Sequence, residues 1–228
     1  MLESDSPGRQ NAPAEAAGIA TSKVVATVFE GLLADIHEGR LLPGEHISDT
    51  ALAASYGVSR TPVREAIQRL REIGVIEASA NRFTRVAVVN PRTTAEAVVV
   101  WSALFGALLD ETIPIAGAST LEDMSQDHAD FQTAATSRDM QSMATANFHF
   151  FNRLTPLSKN ESLRRAITSV MHLVRLGGLH LPKTIDYAAL YEAQSTLLDA
   201  VRTHDVSLAH DAMAAIRSIR IPTESDEN

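Results

Sequence analysis

The sequence predicts a mainly α protein, with an N-terminal winged helix-turn-helix followed by an all-α six-helix bundle. Three observations carry that prediction. Arginine is concentrated in one segment of an otherwise acidic chain. That segment reads in the order helix, strand, helix, helix, hairpin. The rest shows helical periodicity broken only by turn residues, with no strand pattern and no internal repeat.

Composition bounds the reading. The 228 residues include Lys+Arg 20 against Asp+Glu 28, and 45% are hydrophobic. That apolar share supports a buried core and excludes a disordered chain. Cys is absent, which removes disulfides and thiolate metal sites. The opening "MLESDSPGRQNAPAEAAGIA" lacks the basic-then-apolar pattern of a secretion signal, and residues 1–20 are expected to be a disordered tail. No apolar run is seen to approach the roughly 18 residues of a membrane span. The expectation is a cytoplasmic protein without a membrane partner. A net charge of -8 argues against coating nucleic acid over the whole surface and leaves room for a local basic patch.

Residues 21–91 are expected to form the winged helix-turn-helix. A first amphipathic helix starts at Ser22 or Lys23 and runs to about Gly39, with Val25, Val28, Phe29, Leu32, Leu33 and Ile36 at helical spacing. "LLPGEHIS" holds a Pro-Gly turn and room for a short strand. Asp49–Ser55 is a short helix capped by Ser48 or Asp49 and broken at Gly57. Ser59 caps the next helix, which continues to about Ile73. Pro62 is tolerated because it falls in the first turn, where amides have no helical partner. "VIEAS" and "FTRVAVV" flank a turn at Ala80-Asn81-Arg82 and read as a hairpin.

The helix from Ser59 explains the arginines. From Ser59 to Arg92 the bases are Arg60, Arg64, Arg69, Arg71, Arg82, Arg85 and Arg92, against Glu65, Glu72 and Glu77. At roughly 100° per residue, Val63, Ala66, Ile67, Leu70 and Ile73 share one face. Thr61, Arg64, Glu65 and Gln68 share the other, flanked by Arg60 and Arg71. Such a helix suits a major groove, because Arg can grip guanine or phosphate and Gln can read adenine. A merely solvated charged face is the other reading of that helix taken alone. The short helix before it and the hairpin after it favour double-stranded DNA as the partner.

The segment "PGEHISDTALAASYGVSRTPVREAIQRLREIGVIE" resembles the DNA-binding domain of the GntR family of bacterial transcription regulators. The resemblance implies that Arg60, Thr61 and Arg64 contact a palindromic operator and that the wing tip near Asn81 and Arg82 enters the minor groove. One position departs from the family pattern: Phe83 stands where a wing Gly usually follows the Arg.

Residues 92–222 are expected to form the bundle, with helices Thr94–Ile113, Thr120–Thr136, Asp139–Leu154, Glu161–Leu181, Tyr187–Thr203 and Val206–Ile219, and 223–228 a short tail. This half resembles the FCD effector-binding domain of the FadR-type branch, most clearly at "NFHFFNRLTPLSKNESL". Many members hold a metal with an Asp four residues before the Phe-His histidine and with two later histidines. Here the histidine is His149, while Thr145, Gln194 and Ile216 stand at the other positions. Thr, amide and Ile replace carboxylate and imidazole poorly. No cofactor and no metal is therefore expected. Support for His149 from His172 or His180 is the alternative. The resemblance places Trp101, Phe105, Thr145, His149, Arg153, His172 and Gln194 around an effector pocket, with Ser142 on the same stripe. Trp101 and Phe105 stand where the family often has an Arg followed by an acid, which points to a less anionic or more apolar effector. Core packing is the other reading of those two aromatics.

Together these readings describe a homodimeric transcription regulator, expected to be a repressor, whose operator binding answers to a small molecule. A constitutive DNA-binding regulator with a vestigial pocket is the first alternative. A metal-dependent enzyme is the second, but the chain has no HExxH, no Gly-rich phosphate loop and no Cys.

Overall fold

The computed structural model describes residues 12–79, 82–178 and 185–221. Two compact units divide after Val86, with Ile73–Val75 belonging to the second. The first unit opens with helix α1 (Ala12–His37), followed by α2 (Asp49–Tyr56), α3 (Arg60–Glu72) and a hairpin of β1 (Ile76–Ser79) and β2 (Phe83–Val86). Helix α1 starts ten or so residues before the expected Ser22, so residues 12–20 correct the expectation of a tail extending to residue 20. The physical reason lies in "APAEAAGIA": Ala is the strongest helix former, and Pro13 sits in the first turn where it removes no hydrogen bond.

The core of this unit forms where apolar stripes meet. Val25, Val28, Leu32 and Ile36 of α1 are buried together with Val63, Ala66 and Leu70 of α3. The hairpin register pairs Ile76 with Val86 and Glu77 with Arg85. The strand expected within "LLPGEHIS" reduces to an isolated bridge between His46 and Arg85, backed by Ile47 N–H to Thr84 O at 2.8 Å. Gly44, with φ +80, turns the chain onto that edge of β2.

The second unit is a helical bundle of α4 (Pro91–Thr112), α5 (Ala118–Ser137), α6 (Met140–Asn152), α7 (Glu161–Gly178), α8 (Tyr187–Thr203) and α9 (Val206–Ser218). Helix α4 is launched by a capping box in which Asn90 and Thr93 satisfy each other's backbone amides, with Pro91 at its first position. Aspartates cap α6, α8 and α9: Asp139, Asp186 and Asp205. Trp101, Phe105, Leu108, Phe150, Ile167, Leu197 and Met213 lie in one continuous core.

One expectation changes here. The stretch Pro91–Ile115 is long and apolar enough to cross a membrane by length and composition, although the sequence reading saw no such run. Scattered Thr, Ser and Gly interrupt its apolar residues, while an 18-residue window within it keeps a mean hydropathy of 1.6. Within the bundle its buried face packs on α7 and α9.

Candidate functional site

The exposed polar face of α3 is built by three local devices. Ser48 caps α2, its hydroxyl accepting from the Ala51 amide at 3.3 Å. Gly57 ends α2 in the left-handed region at φ 64, a conformation that favours glycine and lets the chain reverse within two residues. Helix α3 then starts at Arg60 and buries Val63, Ala66, Ile67 and Leu70. Ser59, Arg60, Thr61, Arg64 and Gln68 are all exposed. The same burial pattern that anchors the helix therefore aims its polar stripe outward.

The arginines on that stripe are held. Asp49, the first residue of α2, accepts from Arg60 Nη2 at 3.0 Å and from Arg64 Nε at 2.6 Å. The Arg64 hydrogen bond first, and the Arg60 one second, depress the Asp49 carboxyl to about 2. One carboxylate thus gathers two guanidinium groups on a single corner of the helix-turn-helix. Gln68 is engaged along α3, accepting from Arg71 and donating to Glu72. On the hairpin, Arg82 is exposed. Asn81 lies outside the described residues. Phe83 lies under the Arg85 guanidinium, whose carbon is 4.4 Å from the ring centroid, and Arg85 also pairs with Glu77 at 2.6 Å.

The bundle holds a cavity of about 130 Å³ with mostly apolar walls. Trp101, Phe131, Met143, Phe148, Phe151 and Ile216 contribute to them, together with the polar side chains of Asn147, Arg175 and Tyr187. Of the residues expected around an effector pocket, Trp101 lines this cavity. Phe105 lies behind it in the core, its ring 4.9 Å from Trp101 and 5.5 Å from Phe151. The other five are absent from its walls. Thr145 accepts a hydrogen bond from Arg175 at 3.1 Å. Arg153 clasps the buried carboxylate of Asp127 at 2.7 and 3.1 Å and so ties α6 to α5. That ion pair raises the Arg153 pKa. His172 is buried and stacks on Phe148. Burial, and secondarily Arg175, lowers its pKa to about 4. Gln194 is fully buried, its amide shared between His128 Nδ1 and Asn147 Oδ1, both at 2.9 Å.

These positions do not fit a metal of the family type. The Thr145 hydroxyl faces a guanidinium, the Gln194 amide is committed to two neighbours, and Ile216 offers no donor. His149 lies on the exposed side of α6; partial burial of its ring lowers its pKa, with Asp127 opposing and Arg175 and Arg153 adding to the effect. A cation placed there would meet the charges of Arg175 and Arg153. No group of three or more His, Cys, Asp or Glu that could hold a metal occurs among the described residues. His180 lies outside them.

Two features escaped the sequence reading. Asp49, a cap candidate by its position in the sequence, instead gathers Arg60 and Arg64. An acid opening the helix before an arginine-rich helix was the available signal. His128 joins Gln194 and Ser195 and stacks on Tyr191 at 4.1 Å between ring centroids. Its spacing with Met124 and Phe131, both buried, marks it as inward-facing.

Comparisons with known proteins agree with this geometry. Residues 25–86 match the family described as "Bacterial regulatory proteins, gntR family", and residues 96–218 match the FCD domain. A Paenarthrobacter nicotinovorans protein named "Probable D-xylose utilization operon transcriptional repressor" is 28% identical over 217 residues, covering 90% of each chain. An HTH-type transcriptional regulator of Streptomyces ambofaciens is 30% identical over 179 residues, covering 76% of this chain and 73% of its own. Among solved structures, E. coli McbR/YncC superposes with a TM-score of 0.70 at 23% identity, over 85% of this chain and 93% of that one. A GntR regulator from Rhodococcus sp. RHA1 superposes at 0.65 and 20% identity, over 86% and 99%. A helix-turn-helix with an arginine-bearing second helix, joined to an FCD bundle, belongs to the GntR family of bacterial transcription regulators, in its FadR-type branch.

Proposed function

We propose that this regulator docks α3 in the major groove of each half of a palindromic operator, as a homodimer, and releases or tightens its grip when a small molecule enters the helical domain. The observation that carries the reading is the exposed stripe of Arg60, Thr61, Arg64 and Gln68 on a helix whose other face is buried. Arg60 and Arg64 are placed to grip guanine edges or phosphates. Arg82 at the hairpin turn is the wing's contact with the backbone or minor groove. Two-fold symmetry in the protein matches two-fold symmetry in the operator. Val99 and Val100, exposed on α4, offer apolar surface for a contact between copies.

Repression is the favoured sign of regulation, and the name of the Paenarthrobacter relative supports it. Effector control is supported by the bundle cavity. The effector acts only through different affinity for DNA-competent and incompetent arrangements. No catalytic role is assigned, and no metal or cofactor takes part in this reading. The protein works as a freely diffusing cytoplasmic regulator. Titration of operator duplex with Arg64→Ala tests the DNA assignment: a loss of about 1–3 kcal/mol and relaxed preference at one base pair are expected. Unchanged affinity and preference would remove α3 as the reading helix.

A further inference from the structure

Among the described residues that line the pocket of the bundle, Arg175 is the one charged side chain, and no Asp or Glu joins it. Its guanidinium carbon lies 4.6 Å from the centroid of the Phe148 ring, and its Nη2 donates to the Thr145 hydroxyl at 3.1 Å. Phe148 also lines the pocket, which puts the charged end of Arg175, and not only its stem, beside those walls. Stacking uses the flat face of a guanidinium and leaves its N–H edge for hydrogen bonds. That edge carries more donors than the Thr145 contact uses. Arg175 is half-buried, so a group bound to it keeps some contact with water and escapes the full cost of burying a charge.

The other walls suit an apolar body. Trp101, Phe131, Met143, Phe151 and Ile216 present carbon and sulfur surface, and aromatic rings pack well on such neighbours. Size limits the guest, since about 130 Å³ is close to the space that holds one benzene ring. Charge then selects among ring-sized guests. A cationic one would meet Arg175 with no acid on the described walls to offset it. A carboxylate would meet a planar fork that matches its own geometry, through charge-assisted bonds stronger than neutral ones. Trp101 and Phe105 leave their part of α4 without a cation, but α7 supplies one through Arg175. The less anionic effector expected from the sequence gives way to an apolar anion.

We propose that this pocket binds a small aromatic monocarboxylate, its carboxylate held by Arg175 and its ring by the apolar walls. Thr145 is a positioning residue that fixes the guanidinium. As the identity of the controlling ligand, this rests on the effector reading given above; as a binding site, it does not.

Calorimetric titration of the full-length protein with three probes separates ring from charge: benzoate, benzamide with the same shape and no charge, and acetate with the charge and no ring. Benzoate is expected to bind about tenfold tighter than benzamide, the worth of the charge-assisted bonds, and acetate more weakly than either. Methyl-labelled methionines place the guest, because Met140, Met143 and Met171 line the pocket while Met213 lies in the core outside its described walls. Benzoate is expected to shift the first three resonances more than that of Met213. Arg175→Gln should bind benzoate no better than benzamide, with benzamide affinity unchanged to show an intact pocket. Thr145→Val should lower benzoate affinity and leave benzamide affinity alone, a selectivity that a merely structural role would not produce. The wild-type comparison stands on its own where a variant fails to fold. Benzamide or acetate binding as tightly as benzoate, unmoved methionine resonances, or a full benzoate preference in folded Arg175→Gln overturns the proposal. Operator affinity measured with benzoate present distinguishes the two readings. Benzoate that moves the pocket methionines without changing DNA affinity upholds the site and removes its effector role. A benzoate response in DNA affinity with those methionines unmoved upholds effector control and overturns this pocket as its seat.

Discussion

Asp49 shows how one acid can set the behaviour of a basic surface. It holds Arg60 and Arg64 to a common point, and both guanidinium groups remain more than half exposed. On the proposed function, that arrangement limits the orientations from which the arginines meet DNA. Asp49→Asn is expected to raise affinity for nonspecific duplex, because a negative charge leaves the basic island, and to lower the ratio of specific to nonspecific binding. Anisotropy titrations against operator and scrambled duplex check this; an unchanged ratio would show that the clasp has no part in reading.

His172 makes a second prediction at the same scale. Its folded pKa of about 4 lies below the ordinary 6.5, so folding favours the neutral ring. The associated stability is complete above about pH 6.5 and is lost as pH falls toward 4, because the unfolded chain then binds the extra proton. From pH 7 to 5 the cost is about 2 kcal/mol. His149 shifts in the same direction, so the informative quantity is the difference between wild type and His172→Leu. Denaturant unfolding of the variant should show a flatter decline from pH 7 to 5; parallel declines would refute the assignment. At this scale the exposed stripe of α3 was legible in sequence, because helical spacing sorts the buried Val63 and Ile67 from the exposed Arg60 and Arg64. The bundle side chains were not, because nothing in the order of residues says that Arg175 meets Thr145 or that Tyr187 shares a cavity with Trp101.

Among the elements, those defined by local chemistry were the most legible. Gly57 and Pro62 mark their helices in the sequence and keep those roles in the structure. The start of α1 was not legible because residues 12–20, Ala-rich with Glu15 as their one charge, carry no apolar stripe and read equally well as a tail. The strand within "LLPGEHIS" shrank to a bridge because only its middle residues reach the edge of β2. The contact between α4 and α7 depends on a glycine. A Cβ at Gly177 would meet the buried Thr94 side chain, with Cγ2 at 2.6 Å. Gly177→Ala is expected to cost about 1–3 kcal/mol, as overpacking does. Adding Thr94→Ala should recover part of the loss. Thermal unfolding of the single and double variants measures both, and an unperturbed single variant would mean that the helices can part without penalty.

On the scale of the molecule, an acidic chain carries a basic island of seven arginines between Ser59 and Arg92. On the proposed function, the surrounding acid limits indiscriminate attachment to DNA while the island supplies phosphate and base contacts. Affinity for operator is therefore expected to fall steeply, and linearly in logarithmic terms, with salt. On the proposed function, the apolar pocket of the bundle is where a second molecule biases the same equilibrium. The central claim is that the stripe on α3 reads sequence. Selection of duplexes from a random pool, with wild type and Arg64→Ala in parallel, tests it most directly. Wild type should enrich a palindrome, and the variant should lose discrimination at one symmetric pair of positions while keeping the rest. Enrichment of the same palindrome with equal stringency by both proteins would contradict the account.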